Sequence, residues 1–448
     1  MKRGVKKTFA RGRRLLKIVA VNVFLLVVLT ELMSLGFYFI RTRRLFYLRP
    51  EGGADEAAVL ALDETRLERT IIERLHPYFG FTTKPETPYK LSFSQTEHKA
   101  NNYGFTTPYA YPFKKRAGQY VVGIFGGSAA QNYAVYEQEH QVLAEALKQL
   151  PALRDKEIII LPFAYGGYKQ PQQLLILNYF LALGQGFDLV INIDGFNEVA
   201  LSDLNTKAGV EVAMPSVQHI MPLVNLASGH ESTEELTSLL RIKQYKERLT
   251  TALQAWHQCT LASCYTLRLL YVRYLAAGYK REAGKYDAFW AKKFSDIDQD
   301  SLVQLNRDNS LPPGNPLAFE RMAAIWVQSS RIMGRELADE HVPYFHFVQP
   351  NQYVPTQRVF SEAEKRLAVQ ADGKYVAGVR GGYPVLLSKI DELRKSGVTV
   401  INAVNVFDHT AAPVYSDTCC HYNQLGSEIF STFIASSIVA GLKEHLDE

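Results

Sequence analysis

QYVVGIFGGSAA (residues 119–130) is the stretch from which the fold is read. A short run of β-branched and aromatic residues ends in two glycines. A serine follows, and Ala129 to Leu150 is amphipathic at helical spacing. EIIIL (157–161) is a second apolar strand, AYGGY (164–168) a turn, and Pro171 to Leu183 a second helix with its proline near the start. FDLVINI (187–193) is a third strand, ending in DGFNE (194–198). Apolar strands alternating with helices imply a parallel sheet covered on both faces. The alternation lapses between about 200 and 340, then resumes. VPYFHFV (342–348) and VTVINA (398–403) are strands; Glu362–Gln370, Tyr383–Lys395 and the closing Gln424–Leu442 are helices. The expected class is α/β: one three-layer α/β/α, flavodoxin-like domain at 119–445 carrying a helical insertion, not two independent domains.

Upstream, IVAVNVFLLVVLTELMSLGFYFI (18–40) is long enough to cross a hydrocarbon core of about 30 Å at about 1.5 Å per residue. Lys2, Arg3, Lys6, Lys7, Arg11, Arg13, Arg14 and Lys17 precede it with no acidic residue; Arg41, Arg43 and Arg44 close it. A buried soluble helix would rarely carry such flanks, and FYFIRTRR offers no small-x-small cleavage site for a signal peptide. The basic excess on the N-terminal side puts residues 1–17 in the cytoplasm and the bulk of the chain outside, as a single-pass protein of the cytoplasmic membrane. Glu31 is costly within a span and calls for a partner on another helix or a place near the outer interface. The net charge of +5 is largely the N-terminal arm, so the remainder is near neutral and nucleic acid is not the expected partner.

Residues 41–118 read as a juxtamembrane lead-in. Asp63 to Leu75 has helical character, and HPYFGFTTKPE (76–86) and NNYGFTTPYAYP (101–112) are turn-like clusters sharing a local FGFTT/YGFTT likeness. Glu231 to Phe294 is largely helical. Its segment YVRYLAAGYKREAGKYDAFWAKKF (271–294) could suit RNA or a membrane surface, but an amphipathic helix pair with a solvated charged face is the favoured reading. Cys259 and Cys264 could close a small loop in an oxidising compartment, whereas the adjacent Cys419 and Cys420 would pair only under strain. No cysteine–histidine spacing supports zinc, and neither metal nor cofactor is expected.

Four blocks carry candidate chemistry. Ser128 would sit at the C-terminal edge of the sheet, where ligands of open α/β sheets bind, with its N–H at a helix N-terminus. It follows neither a G-x-S-x-G elbow nor a P-loop pattern. Gly166 and Gly167 form a turn that can offer a bare backbone N–H. Asn197 ends the third strand with an amide able to meet an oxyanion; its neighbours Asp194 and Glu198 face no second acidic cluster, which disfavours a glycosidase. In YSDTCCHYNQLGSEIF (415–430), His421 precedes the last helix with Asp417 four residues upstream.

Ser, Gly, Asn and His in this order resemble the SGNH/GDSL hydrolase superfamily, membrane-anchored bacterial type. The blocks are GGS at Gly126–Ser128, Gly167, G-x-N at Gly195–Asn197, and an acid–histidine pair near the end. The resemblance implies Ser128 as nucleophile, and His421 as base and then acid. The Ser128 and Gly167 N–H groups and the Asn197 side chain would form the oxyanion hole. Two features depart from the family: GGS replaces GDS, and the position three before the histidine is Thr418. Asp417 through a one-residue bulge, or Asp408 in NVFDHT (405–410), would then serve as the acid. Gln349 and Asn351 in HFVQPNQY (346–353) are candidates to line the site. The implied activity is an esterase, acting on an acyl ester or an O-acetylated glycan. The alternatives are an O-acyltransferase of exopolysaccharide or cell-wall glycans, or a non-catalytic scaffold meeting polysaccharide-assembly partners.

Overall fold

The computed structural model describes residues 2–48, 72–228, 232–295, 303–308, 310 and 315–447. In chain order the elements begin with α1 (Lys2–Thr42), the strands β1 (Glu73–His76), β2 (Gly80–Thr83), β3 (Pro88–Tyr89), β4 (His98–Lys99) and β5 (Gln119–Gly126), and the helices α2 (Ser128–His140) and α3 (Val142–Leu147). There follow β6 (Glu157–Ala164), α4 (Gln172–Ala182), β7 (Leu189–Asp194), α5 (Phe196–Lys207), α6 (Val217–Ser228), α7 (Thr233–His257), α8 (Ala262–Ser295) and α9 (Pro316–Asp339). The chain ends with β8 (Tyr344–Val348), α10 (Glu362–Ala368), α11 (Val376–Ser388), α12 (Ile390–Lys395), β9 (Thr399–Asn402) and α13 (Gln424–Asp447).

Two compact units result. One joins Met1–Leu67 to Glu231–Asp296, the other Glu68–His230 to Ile297–Glu448. The second unit holds a five-stranded sheet in the order β6-β5-β7-β8-β9, every pairing parallel. Counted along the chain this is 2-1-3-4-5, the flavodoxin-like order, so the chain leaves β5 for β6 and returns to β5's other side. Strand residues alternate between two apolar layers. Val121, Phe125, Leu161 and Phe163 pack with α4, α5, α9 and α11; Val122, Ile124, Ile160 and Ile191 pack with α2, α3 and α13. The closing helix α13 is long and apolar enough to cross a membrane, but here it buries Phe430, Ile434 and Ile438 beneath the sheet.

The insertion is narrower than the lapse in strand alternation implies. Residues 196–228 and 316–339 are helices of the α/β unit, and only the pair α7–α8 belongs with α1. In that first unit Leu249, Trp256, Leu269, Val272 and Leu275 form the seam between α7 and α8. The residues from Lys17 to Ile40 of α1 are long and apolar enough to span a membrane, and most of their apolar side chains are exposed.

Several local expectations are corrected. Of the helix expected over Asp63–Leu75, residues 63–71 lie outside the described residues. Glu73–His76 is instead a strand, paired antiparallel with Gly80–Thr83. Gly80 and Gly104 both take positive φ, so the two FGFTT/YGFTT segments share one backbone device, and each buries its phenylalanine, Phe81 and Phe105, completely. The lead-in from residue 72 onward is thus part of the core. The helix expected from Ala129 to Leu150 breaks at Gln141, which adopts φ 56°. The helix expected from Tyr383 begins at Val376 and contains Gly378, Gly381, Gly382 and Pro384. Gly378 and Gly382 let α11 approach α5. A Cβ on Gly382 would stand 2.4 Å from the Val199 Cβ.

A buried ion pair fixes the approach to the last helix. Arg358 Nη2 donates to Glu364 Oε2 at 2.7 Å and to the Ala412 carbonyl at 3.0 Å; its Nη1 donates to the carbonyls of Phe407 and Thr410. Glu364 Oε1 accepts the N–H groups of Val414 and Tyr415. Removing one member of such a pair strands the other charge. Arg358→Met is therefore expected to cost about 3–5 kcal/mol in denaturant unfolding. Lys365→Met, which breaks the exposed pair with Glu362, should leave the denaturant midpoint unchanged.

Candidate active site

β5 delivers Ser128 to the sheet's C-terminal edge through two glycines that nothing larger could replace. A Cβ on Gly126, at φ 140°, would stand 2.1 Å from the Ile193 carbonyl oxygen. One on Gly127 would stand 2.1 Å from Asn197 Nδ2. Ser128 is the first residue of α2, so its N–H has no acceptor within the helix. The return of the chain across β5 makes this edge the switch point of the sheet.

Two of the other blocks meet there. The Gly166–Gly167 turn after β6 runs beside the serine; a Cβ on Gly166 would lie 3.9 Å from that of Ser128. Asn197 opens α5 after β7, and its Nδ2 donates to the Tyr168 carbonyl at 2.8 Å. The amide has a second hydrogen. Gly167 takes φ 84°, and a Cβ there would stand 2.3 Å from the His219 ring.

The loop before α13 brings in the histidine. Asp417 Oδ2 pairs with His421 Nδ1, while Oδ1 accepts the N–H groups of Cys419 at 2.8 Å, Cys420 at 3.1 Å and His421 at 3.4 Å. One carboxylate thus shapes the turn and orients the ring, and the extra residue relative to Asp-x-x-His is absorbed in that turn. Burial works against the Asp417 charge, but the His421 ring and the backbone donors outweigh it and hold its carboxyl down to about 2. Asp408 lies elsewhere, accepting from the Gln357 N–H at 3.3 Å. Cys420, adjacent to His421, puts its Sγ 3.9 Å from the Ser128 hydroxyl. Burial pushes the Cys420 thiol up, which makes it a poor competing nucleophile.

The strand-end loop after β8 acts on this turn from behind. Asn351 Nδ2 donates to the Cys419 carbonyl at 3.0 Å, Gln352 Nε2 to that of Asp417 at 3.0 Å, and Tyr353 Oη to that of Thr418 at 2.7 Å. Asn351 is thereby a positioning residue rather than a lining one. Gln349 is buried, and its carbonyl accepts from the Tyr383 hydroxyl. Among the described residues, Cys419, Cys420 and His421 form the one trio whose ligand atoms lie within 4.8 Å of one another. His421 Nδ1 is already committed to Asp417.

Two further histidine–acid pairs were invisible in sequence because their members are far apart in it. His219 Nδ1 meets Glu73 Oε1 at 2.8 Å behind Gly167, with Tyr165 Oη donating to the same carboxylate. Ser330 Oγ, His346 and Asp194 are linked in series, at 2.7 Å and 2.7 Å. That series has the order of a catalytic triad, but its ring and carboxylate side chains are wholly buried and Trp326 and Asn192 also donate to Asp194. It is a core network. Glu198 is likewise buried, accepting from Gly195 and Gln170 N–H groups. Burial, and then the Asp194 charge, push its carboxyl upward. Neither carboxylate is presented to a sugar. No protein-family model matches the chain, and no curated protein matches it either.

Asp417 titrates lower folded than its ordinary 3.8. Its contribution to stability is therefore full above pH 3.8 and lost as pH falls through about 2. With its side chain partly solvated, Asp417→Asn should cost about 1 kcal/mol at pH 7. Urea unfolding in micelles should show the difference from the parent narrowing below pH 3.8 and closing only below about pH 2.

Proposed function

We propose that the chain is a membrane-anchored serine esterase of the SGNH type, with its α/β unit outside the cytoplasmic membrane. The observation that carries this reading is the Asp417–His421 pair on a turn whose Cys420 touches the Ser128 hydroxyl. With Nδ1–H given to Asp417, the His421 ring keeps Nε2 as a proton acceptor. His421 takes the Ser128 proton as Oγ bonds to the ester carbonyl carbon. The carbonyl oxygen, now negative, is met by the N–H groups of Ser128 and Gly167 and by the second Asn197 hydrogen; losing one such donor typically costs about 10²–10³ in rate. Collapse breaks the bond to the alkoxy group, which leaves with the proton from His421. Water, deprotonated by the same ring, then attacks the acyl-serine and regenerates the hydroxyl.

The span, the basic N-terminal arm and the Cys259–Cys264 disulfide support the extracytoplasmic placement of the domain. A glycan hydroxyl in place of water would make the same intermediate an O-acyltransferase.

Turnover of a chromogenic acetyl ester should fall by at least about 10³-fold in Ser128→Ala, and a fluorophosphonate probe should mark Ser128 in the parent alone. Unchanged turnover in the variant would eliminate the nucleophile. An added glycan acceptor in the same assay reads whether the acyl group goes to water or to sugar.

A further inference from the structure

α8 begins against α1. The Glu31 carboxylate, inside the apolar stretch of α1, accepts the N–H groups of Ala262 at 2.7 Å and Ser263 at 2.9 Å, together with the Ser263 and Tyr47 hydroxyls. It caps the helix N-terminus. Farther along, Tyr38 meets Tyr265 edge-on at 5.4 Å, and Phe46 packs on both rings. The two helices therefore climb side by side in the same direction. The α7–α8 turn is closed by the Cys259–Cys264 disulfide at the level of Glu31. Glu31 precedes Ile40, the end of the apolar stretch, by about 14 Å of helix.

We propose that the α7–α8 hairpin is re-entrant, dipping beside α1 into the leaflet on the Ile40 side so that its tip lies near mid-bilayer. This rests on the anchoring reading above. The sequence of the hairpin fits the depth. Residues 249–267, centred on the turn, contain no Asp, Glu, Lys or Arg, and Glu247 and Arg248 on one arm and Arg268 and Arg273 on the other mark its charged limits. The charge-free helix is Leu249–His257 on one arm and Ala262–Leu267 on the other, about 14 Å and about 9 Å of rise against a half-core of about 15 Å. Arg268 keeps its guanidinium on the Ala255 carbonyl. One face of α8 is apolar and unpartnered. Leu267, Leu270, Tyr271 and Tyr274 follow helical spacing and are 50–66% exposed, and Leu261 at the tip is 50% exposed. Lipid is the occupant that continues from α1, whose own apolar side chains from Ile18 to Ile40 are exposed in the same way. Non-helical backbone at membrane depth needs internal partners. Glu31 supplies them to the first N–H groups of α8, which gives a membrane carboxylate its structural reason.

The test uses the full chain with Cys419→Ser and Cys420→Ser, the disulfide kept, in phosphatidylcholine–phosphatidylglycerol vesicles. A nitrobenzoxadiazole label is placed singly at Leu270→Cys, at Leu25→Cys in α1, or at Leu240→Cys high on α7. Doxyl-labelled phospholipid should quench the label at 270 and at 25 at least 5-fold more than at 240, and aqueous iodide should show the reverse order. Lipid quenching at 25 with iodide quenching at 270 would overturn the re-entrant hairpin and leave the anchor standing. Iodide quenching at both would overturn the anchor and the hairpin together. Shielding of 270 from both quenchers would mean a protein cover, and would equally overturn lipid contact.

Discussion

Backbone crowding where β5 meets β7 governs the sheet edge that carries Ser128. β5 is paired on both sides, and at Gly126 the neighbouring strand's Ile193 carbonyl occupies the place of a side chain. One residue on, the Asn197 amide occupies the place of a Gly127 side chain. The serine can follow its strand directly into a helix only because both positions are bare. Its distances to the Gly166–Gly167 turn and to Asn197 then follow from the order of parallel strands, which gathers every C-terminal end on one edge.

The strands were legible because a doubly covered parallel sheet writes continuous apolar runs. EIIIL and FDLVINI carry no alternation to misread, and β5 to β9 fall where those runs predict. Ser128, the Gly166–Gly167 turn and Asn197 each follow the end of such a run, whereas His421 lies in the loop before the last helix. Less visible were features whose partners are remote in sequence. The start of α11 at Val376 was not read from sequence because the reason for Gly378 and Gly382, Ala200 and Val199 on α5, lies elsewhere. The strand at Glu73–His76 read as helical because its pairing partner Gly80–Thr83 looked like a turn alone. Glu31 was legible as a charge needing a partner, but nothing in local pattern pointed to Ala262 and Ser263. The insertion was drawn too wide because α5, α6 and α9 interrupt the strand rhythm while still serving the α/β unit.

Among the described residues His219, His346 and His421 each pair with an acid, as His98 does with Glu139, and solvent exposure separates the first three. The His346 and His219 side chains are at most 5% exposed, and their partners accept from further side chains, Asp194 from Trp326 and Asn192 and Glu73 from Tyr165. They close polar gaps in an otherwise aromatic core, where an unpaired group would cost more than the pair does. His421 has a quarter of its side chain exposed, at the mouth of the sheet edge. Its turn is held by Asn351, Gln352 and Tyr353, which donate to the carbonyls of Cys419, Asp417 and Thr418 and not to the His421 ring or the Asp417 carboxylate. Arg358 and Glu364 extend that support to the preceding loop, so the histidine turn is held from two sides by groups that take no part in chemistry.

The Glu31 cap also imposes an order on biogenesis. Its donors at Ser263 lie 232 positions later in the chain. At ribosomal speeds of about 5–20 residues per second, α1 waits roughly 12 to 46 s before those donors are made. During that interval the carboxylate has no helix end to cap, and whatever holds a nascent span, a translocation channel or a chaperone, must tolerate an acid. On the anchoring proposed above, the spacing between two short segments of this chain sets how long α1 is held without its cap.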